Sequence, residues 1–206
     1  MTDITRAVAA ERTDLAAILT GLPTAQWDAP SLCAGWRTRE VVAHMTTPFR
    51  YSAPRFILEM IKARGNFNRM SDRTARRDAA ALSAEQLVTT LRDNVNHPWK
   101  PPGGGLVGAL SHDVIHGLDI TVALGLGRLV PEDRMRLVLG GITPRSVKFF
   151  GVDLDGVRLR ADDLDWSYGS GAVLSGAAQH LLLVLCGRTL PPGLLQGEPS
   201  QRFSAA

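Results

Sequence analysis

The sequence predicts a mainly α protein in which a helical region is followed by a short C-terminal α+β region. Before residue 150, apolar residues recur at the i, i+3, i+4 spacing of amphipathic helices, and stretches rich in proline and glycine interrupt them. From Val157 onward the pattern changes to the alternation typical of short strands, followed by one last apolar helix. We therefore expect two regions, residues 1–150 and 151–206.

The first three predicted helices come before residue 97. The first begins near Ile4 and ends at Gly21, ahead of Pro23, and the second begins at Thr38 and carries His44. Pro48 and Pro54 are expected to interrupt the second helix, although a helical pattern resumes after Pro54 and continues to Gly65. The third helix begins at Ser83, which forms a capping box with Gln86.

A fourth helix follows the stretch "HPWKPPGGG", which cannot be regular structure because of its prolines and glycines. Its apolar residues from Leu106 to Val122 cover much of the circumference, which predicts a central, buried helix that ends by Gly125. This helix also carries polar side chains, and an unpaired buried polar group costs roughly 1 to 3 kcal/mol. His112, His116 and Asp119 therefore need partners, and their i, i+4, i+7 spacing places them on one face.

The C-terminal part is predicted to contain two helices and a hairpin. A short fifth helix spans residues 131–140, and the hairpin strands lie near residues 157–160 and 164–168, with a Ser-Gly turn. The final helix, "AAQHLLLVLC", ends at Gly187. The tail beyond it is rich in Pro, Gly and Ser and is expected to be loosely held.

Composition excludes several classes of protein. Of the 206 residues, 45% are hydrophobic and 21% charged, as in globular proteins, and no apolar run approaches the roughly 20 residues that span a bilayer. We therefore expect no membrane partner. The N-terminus does not have the pattern of a secretory signal, so a cytoplasmic location is expected. The two cysteines, Cys33 and Cys186, are too few for a disulfide framework and are expected to be buried thiols.

Basic residues are concentrated between Arg50 and Arg77, where eight of them accompany two acidic residues. Such a stripe could attract nucleic acid or an anionic small molecule. No nucleic-acid-binding motif accompanies it, and its aromatic residues form no stacking platform. We interpret the stripe as a solvated helix face and loop, and we do not expect a nucleic-acid partner.

The histidines form the main candidate site. His112 and His116 lie one helical turn apart, which suits two adjacent positions around a metal ion, although hydrogen-bonded core histidines would give the same spacing. Asp113 and Asp119 favour the metal, because a ligating imidazole usually donates its second N–H to a carboxylate or carbonyl. His44 is the best candidate for a third ligand, since it lies on the inward side of its helix. His180 is the alternative.

Three segments resemble the mycothiol-dependent maleylpyruvate isomerase family, which belongs to the wider DinB-like group of metal-binding helical bundles. They are "PSLCAGWRTREVVAHM" (residues 30–45), "HDVIHGLDI" (112–120) and the region from Leu159 to Arg188. The resemblance implies a DinB-like four-helix bundle with a small α+β C-terminal extension. It also implies that His44 and His116 are metal ligands. His112 stands where many members have glutamate. With histidine at this position, the ligand set resembles the three histidines of other DinB-like proteins.

The resemblance further implies a function in which the metal binds a low-molecular-weight thiol such as mycothiol and presents its sulfur to a small electrophilic molecule. The product would be a thiol conjugate or a cis-to-trans isomer, so the chain would be a transferase or isomerase. Three neutral imidazoles leave the full charge of a dipositive ion uncompensated, which favours deprotonation of a coordinated thiol. Zinc is the first choice, with nickel, iron and manganese as alternatives. Trp36 is a candidate wall of the pocket, and Arg188 is a candidate contact for an anionic group.

Two other interpretations stay open at this stage. In the first, "HDVIH" is a degraded zinc-hydrolase motif with Asp113 as the base, although aspartate reaches a metal-bound water less easily than glutamate. In the second, the bundle holds a metal for structure or sensing and has no catalytic activity. The substrate and the oligomeric state, including a homodimer, are also left open.

Overall fold

The computed structural model describes residues 3–205, and within them the chain forms two compact units, the first ending at Ile120 and the second beginning at Thr121. The predicted mainly α fold is confirmed. The division predicted from the sequence, residues 1–150 and 151–206, differs from this boundary, because α8 and α9 lie in the second compact unit. Whether either division corresponds to independently folding domains stays a prediction.

The helices of the first unit are α1 (Asp3–Thr20), α2 (Thr24–Trp27), α3 (Thr38–Arg50), α4 (Ala53–Lys62), α5 (Phe67–Ala81), α6 (Ala84–Asp93) and α7 (Gly105–Thr121). The helices α1 and α3 pack against α6, and α3 also packs against α5. Only Leu82 and Ser83 separate α5 from α6. The helix α7 contacts α1 through Arg12 and Asp113 and α3 through His44 and His112, so α1, α3, α7 and the α5–α6 segment make up the four-helix bundle.

The predicted helix starts are largely confirmed. Ser83 caps α6, its hydroxyl accepting the backbone N–H of Gln86 at 3.1 Å while the Gln86 side chain accepts the N–H of Ser83 at 2.8 Å. The helix α3 continues through Pro48 and ends at Arg50, and α4 begins at Ala53, so the interruption expected from Pro48 and Pro54 lies between these two helices. The helix α5 was not predicted. Its buried face consists of small or polar residues and one methionine, so the segment shows no apolar stripe.

The basic stripe is largely paired within the first unit. Five of its eight basic residues form ion pairs with Glu59, Asp72 or Asp78: Arg50, Lys62, Arg73, Arg76 and Arg77. Arg55 instead stacks on the Tyr51 ring at 3.9 Å from its centroid. The stripe is therefore mainly a network that joins α4 and α5 to their neighbours.

The second unit contains α8 (Glu132–Gly140), α9 (Pro144–Phe150), β1 (Val157–Ala161), β2 (Ser167–Gly169), β3 (Ala172–Gly176), α10 (Ala178–Leu185), β4 (Leu195–Gln196) and a 3-10 helix (Glu198–Arg202). The strands form one sheet in the order β2-β1-β3-β4, with β1 antiparallel to β2 and parallel to β3. The helix α10, whose leucines are buried, packs on β1 and β3.

The predicted hairpin is confirmed in its strand pairing, with Leu159 opposite Tyr168. The Ser-Gly turn was misplaced, because it follows β2 and leads into β3, a strand the sequence pattern did not predict. Gly171 has φ +124° in this turn, and a Cβ there would lie 2.1 Å from the carbonyl oxygen of Gly156. Only glycine allows β3 to lie so close to the start of β1.

The expectation of a loosely held tail is wrong. The strand β4 pairs with β3, and the backbones of Leu190 and Phe203 are joined by a hydrogen bond of 2.8 Å. Leu195, Pro199 and Phe203 are buried. These few apolar residues are far apart among prolines and glycines, which is why composition alone suggested a loose segment. None of the helices in residues 3–205 has the length and apolar character needed to cross a bilayer.

Candidate metal centre

The three histidines predicted as metal ligands lie together in the first unit. His44 is on α3, and His112 and His116 lie one turn apart on α7. Their ring centroids are 5.2 Å (His44–His112), 5.0 Å (His44–His116) and 4.8 Å (His112–His116) apart. One ring nitrogen from each lies within 4.8 Å of the others, and the Nε2 atoms of His44 and His112 are 3.4 Å apart. Two helices distant in sequence therefore bring three imidazoles to one point.

Local packing explains why His44 faces this point. Val41, Val42 and Met45 are almost completely buried and fix the inward face of α3. Glu40 accepts the backbone N–H of Arg37 at 2.8 Å and so stabilises the start of the helix. The loop before α3 is joined to α7 by a hydrogen bond of 3.0 Å from the Leu32 N–H to the Asp119 carbonyl.

The two aspartates lie behind the ligand candidates, as the sequence suggested. Asp113 is 3.0 Å from Nδ1 of His112, and Asp119 is 3.0 Å from Nδ1 of His116. A carboxylate accepts a hydrogen bond, so each Nδ1 carries the proton and each Nε2 presents its lone pair on the opposite side of the ring. Both carboxylates are buried, with side-chain exposures of 2% for Asp113 and 0% for Asp119.

His44 is suited to act as a neutral ligand. Burial lowers its pKa well below the usual range, the neighbouring His116 and His112 lower it further, and Asp119 opposes them. The imidazole is therefore neutral near pH 7, where its lone pair is available to a cation.

Two tryptophans flank the cluster. The Trp36 ring, proposed from the sequence as a pocket wall, lies 5.3 Å from the His44 ring, and its Nε1–H donates to Asp72 at 2.8 Å. Trp99 lies 5.0 Å from the His112 ring and was not predicted. The sequence feature that could have indicated this role is the position of Trp99 in a proline-rich loop shortly before the helix that carries His112 and His116.

Sequence reasoning missed the roles of two other residues that contact the aspartates. The buried Arg12 donates from Nε to Asp113 at 2.7 Å. It lies on the inward face of α1 between Val8 and Leu15, where an apolar residue is expected. A charged residue at an apolar position is the sequence feature that could have indicated a buried role. Cys33, interpreted as a packed thiol, is buried as expected and also donates from Sγ to Asp119 at 2.9 Å.

Two candidates from the sequence lie in the second unit. Arg188 follows α10 and donates from Nη1 to the carbonyl of Cys186 at 3.2 Å, and its contact with an anionic group stays a prediction. His180, the alternative third ligand, is on α10. Among the described residues, the groups with metal-ligand spacing are His44–His112–His116 and Cys33–His116–Asp119.

Comparison with known proteins gives one family match and two structural matches. Residues 8–97 match the family model described as the mycothiol maleylpyruvate isomerase N-terminal domain. Two crystal structures, a mycothiol-dependent maleylpyruvate isomerase and a histidine-to-alanine mutant of such an enzyme, match with TM-scores of 0.50 and 0.51. Sequence identities are 18% and 16%, and each match covers 97% of both chains. The comparison with curated proteins gave no significant match.

The chain has the DinB-like fold of a helical bundle with a C-terminal α+β region. Within this fold, residues 8–97 are similar to the N-terminal domain of mycothiol maleylpyruvate isomerases, which confirms the resemblance seen in the sequence. The matched segment includes Trp36 and His44 but ends before α7. His112 and His116 therefore lie outside the matched segment, and the model places them beside His44.

Proposed function

We propose that the protein is a metal-dependent thiol S-transferase or isomerase that joins a mycothiol-type thiol to a small electrophile. The observation that carries this proposal is the convergence of three imidazoles, two of them held by buried carboxylates. The matched family domain supports a thiol cosubstrate.

The residues of the cluster fit a divalent metal. Tetrahedral zinc with Zn–N bonds of about 2.0–2.1 Å separates neighbouring ligand nitrogens by about 3.3–3.4 Å. The two Nε2 atoms of His44 and His112 are 3.4 Å apart. We propose His44, His112 and His116 as the ligands and zinc as the metal. Imidazoles also suit nickel and iron, and manganese remains a weaker alternative.

The chemistry of the metal would be to lower the pKa of a coordinated thiol, so that its sulfur is a thiolate near neutral pH. The chain's own residues prepare the site. Asp113 and Asp119 hold His112 and His116 in the tautomer that presents Nε2. Trp36 and Trp99 lie beside His44 and His112 and give the site two aromatic walls.

The reaction follows from a thiolate next to an electrophile. Its sulfur adds to an electron-poor carbon and forms a C–S bond, and release of this adduct gives a conjugate. When the electrophile is a cis-alkene conjugated to a carbonyl, addition turns the double bond into a single bond. Rotation about that bond and expulsion of the thiolate then give the trans isomer and regenerate the thiol. Structures of mycothiol-dependent maleylpyruvate isomerase are among the matches, so we propose this isomerisation as the first reaction to test.

The geometry disfavours the hydrolase alternative. As a general base, Asp113 would have to reach a water on the Nε2 side of His112. Its Oδ1 instead faces Nδ1 of His112, and its Oδ2 accepts from Arg12 at 2.7 Å. Asp113 therefore orients His112 from the side opposite Nε2.

A bundle that only binds or senses metal makes the same contacts, and metal binding, thiol binding and turnover separate it from an enzyme.

Metal binding is tested first, by elemental analysis of tag-free protein after incubation with zinc and removal of excess ion. We expect one equivalent in the wild type and less than a tenth of that in His44→Ala and His116→Ala. His180→Ala is the matched control and should keep the full equivalent. A wild type without bound zinc would contradict the proposal.

Thiol binding and turnover are tested next, by calorimetry with mycothiol and by product analysis with maleylpyruvate and generic electrophiles. We expect binding and product formation that both require His44. Zinc without thiol binding or product would instead support the non-catalytic interpretation, and cleavage of ester or amide substrates would support the hydrolase.

A further inference from the structure

The Arg12 side chain is completely buried on α1 and makes its polar contacts outside its own helix. Nε donates to Asp113 on α7 at 2.7 Å, and Nη1 donates to the carbonyl oxygen of His97 at 2.8 Å. Weaker contacts of 3.4 Å join Nη1 to the carbonyls of Asn94 and Val95. The guanidinium carbon lies 5.0 Å from the centre of the Phe49 ring on α3.

These partners belong to the three segments that form the metal centre. Asp113 holds His112, the loop that includes His97 leads to Trp99, and Phe49 is on the same helix as His44. The loop is itself ordered around His97, whose Nδ1 accepts the backbone N–H of Trp99 at 3.2 Å and whose ring packs 5.1 Å from Phe49. One guanidinium therefore contacts the support of His112 on α7, the loop that carries Trp99, and α3.

Stability alone does not explain a charged group at this position. A buried ion pair is often no more stabilising than apolar residues of similar volume, since both charges lose their hydration. Within the described residues, moreover, Nη2 of Arg12 is buried without a hydrogen-bond partner, which adds a further cost. A rigid, planar guanidinium does offer donors at fixed directions, which an apolar residue or a lysine does not.

We infer that Arg12 is a positioning residue of the metal centre, which sets the orientation of His112 through Asp113 and the position of Trp99 through the His97 carbonyl. This inference rests on the proposed metal site. Arg12 does not itself contact the metal or the substrate. Its role is to keep the Nε2 of His112 directed at the point where His44 and His116 converge.

The test compares Co²⁺ binding by tag-free wild type, Arg12→Lys and Arg50→Lys. Lysine retains the charge beside Asp113 and removes the planar fork. Arg50 provides a matched control, because it pairs with the buried Asp78 at the same 2.7 Å and donates its other hydrogen bonds to Thr46 and to the Ala43 carbonyl on its own helix. Loss of a residue that supports a metal ligand typically costs 10- to 100-fold in metal affinity. We expect Arg12→Lys to bind Co²⁺ at least about 10-fold more weakly, with an altered visible absorption spectrum, and Arg50→Lys to match the wild type.

Three results would overturn the inference. Arg12→Lys could keep the wild-type affinity and spectrum, or both lysine variants could lose affinity equally, which would indicate general loosening of the bundle. A wild type that binds no Co²⁺ would overturn the proposed metal site and this inference with it.

If Arg12→Lys does not fold, Asp113→Asn tests the same connection from its other end, because the amide keeps the size of the side chain and removes the charge. Wild-type binding by folded Asp113→Asn would then decide against the inference.

Discussion

The Cys33 thiol connects the loop before α3 to the carboxylate that holds His116. Its Sγ lies 2.9 Å from Asp119 Oδ2 and 3.8 Å from Nδ1 of His116. We expect Cys33→Ala to lower zinc affinity about 10-fold, because Asp119 loses a donor that orients it. Cys33→Ser keeps a donor and should bind zinc nearly as tightly as the wild type. Competition with a chromophoric chelator measures both affinities.

Cys186→Ala serves as the control, since this second buried thiol is on the second unit. Equal zinc affinity in Cys33→Ala and the wild type would mean that Cys33 only packs. Weak binding by both Cys33→Ala and Cys33→Ser would mean that the volume of the sulfur matters more than its hydrogen bond.

At the scale of single residues, local spacing could predict the ligand candidates and the two aspartates beside them, but not the residues that contact them from other elements. The four-residue spacing of His112 and His116 defines one helix face, whatever the rest of the fold does. Arg12 contacts Asp113 across 101 residues of sequence, and Trp99 reaches His112 from an irregular loop. Those contacts depend on how α1 and the loop approach α7, which no local pattern specifies.

At the scale of elements, a buried carboxylate joins α4 to α5. Glu59 on α4 accepts hydrogen bonds from Arg73 and Arg77 on α5, and also from Lys62. Burial alone would raise the pKa of Glu59, but the hydrogen bonds from its three cationic partners outweigh burial and lower it. The ionised carboxylate therefore stabilises the packing of α4 on α5.

We expect Glu59→Gln to lower the free energy of unfolding at pH 7 by about 1 kcal/mol, since the cations are partly exposed and the attraction is screened by solvent. The folded-state pKa is lowered, so this contribution is complete above the unfolded-state pKa of about 4.3 and is lost as the pH falls through the folded-state value. Denaturant titrations at pH 7 and at successively lower pH should show wild type and variant converging in acid.

The matched control is Glu132→Gln, which breaks a pair with Arg136 whose side chains are 64% and 52% exposed. That change should cost less than about 0.5 kcal/mol at pH 7. A constant difference between wild type and Glu59→Gln across the pH range would show that the hydrogen bonding of the amide, and not the loss of the negative charge, explains the effect.

Elements were predictable where apolar spacing or a cap marks them and were missed where tertiary contacts define them. The helix α7 has apolar residues around much of its circumference, and α6 has its capping box. In α5 the buried face includes Ser71, Thr74 and Asp78, which look like surface residues in the sequence. The five-residue strand β3 depends on parallel pairing with β1, and no turn motif in the sequence predicts this pairing.

At the scale of the whole molecule, the candidate ligands are all in the first unit, although 68 residues of sequence separate His44 from His112. A metal held by α3 and α7 links two helices that are far apart in the unfolded chain. Because the ion binds the folded site in preference to separated histidines, it stabilises the fold by mass action. The stabilisation should be visible in the unit that contains the ligands.

Stabilisation of the first unit can be measured because the tryptophans divide between the units. Trp27, Trp36 and Trp99 are in the first unit and Trp166 is in the second, so a Trp166→Phe background restricts fluorescence to the first. Free zinc at 100 times its dissociation constant should then raise the free energy of unfolding by about 2.7 kcal/mol. The increase should vanish when His44→Ala is added and persist with His180→Ala. An equal increase in His44→Ala would show that zinc stabilises the protein from a site other than the three-histidine cluster.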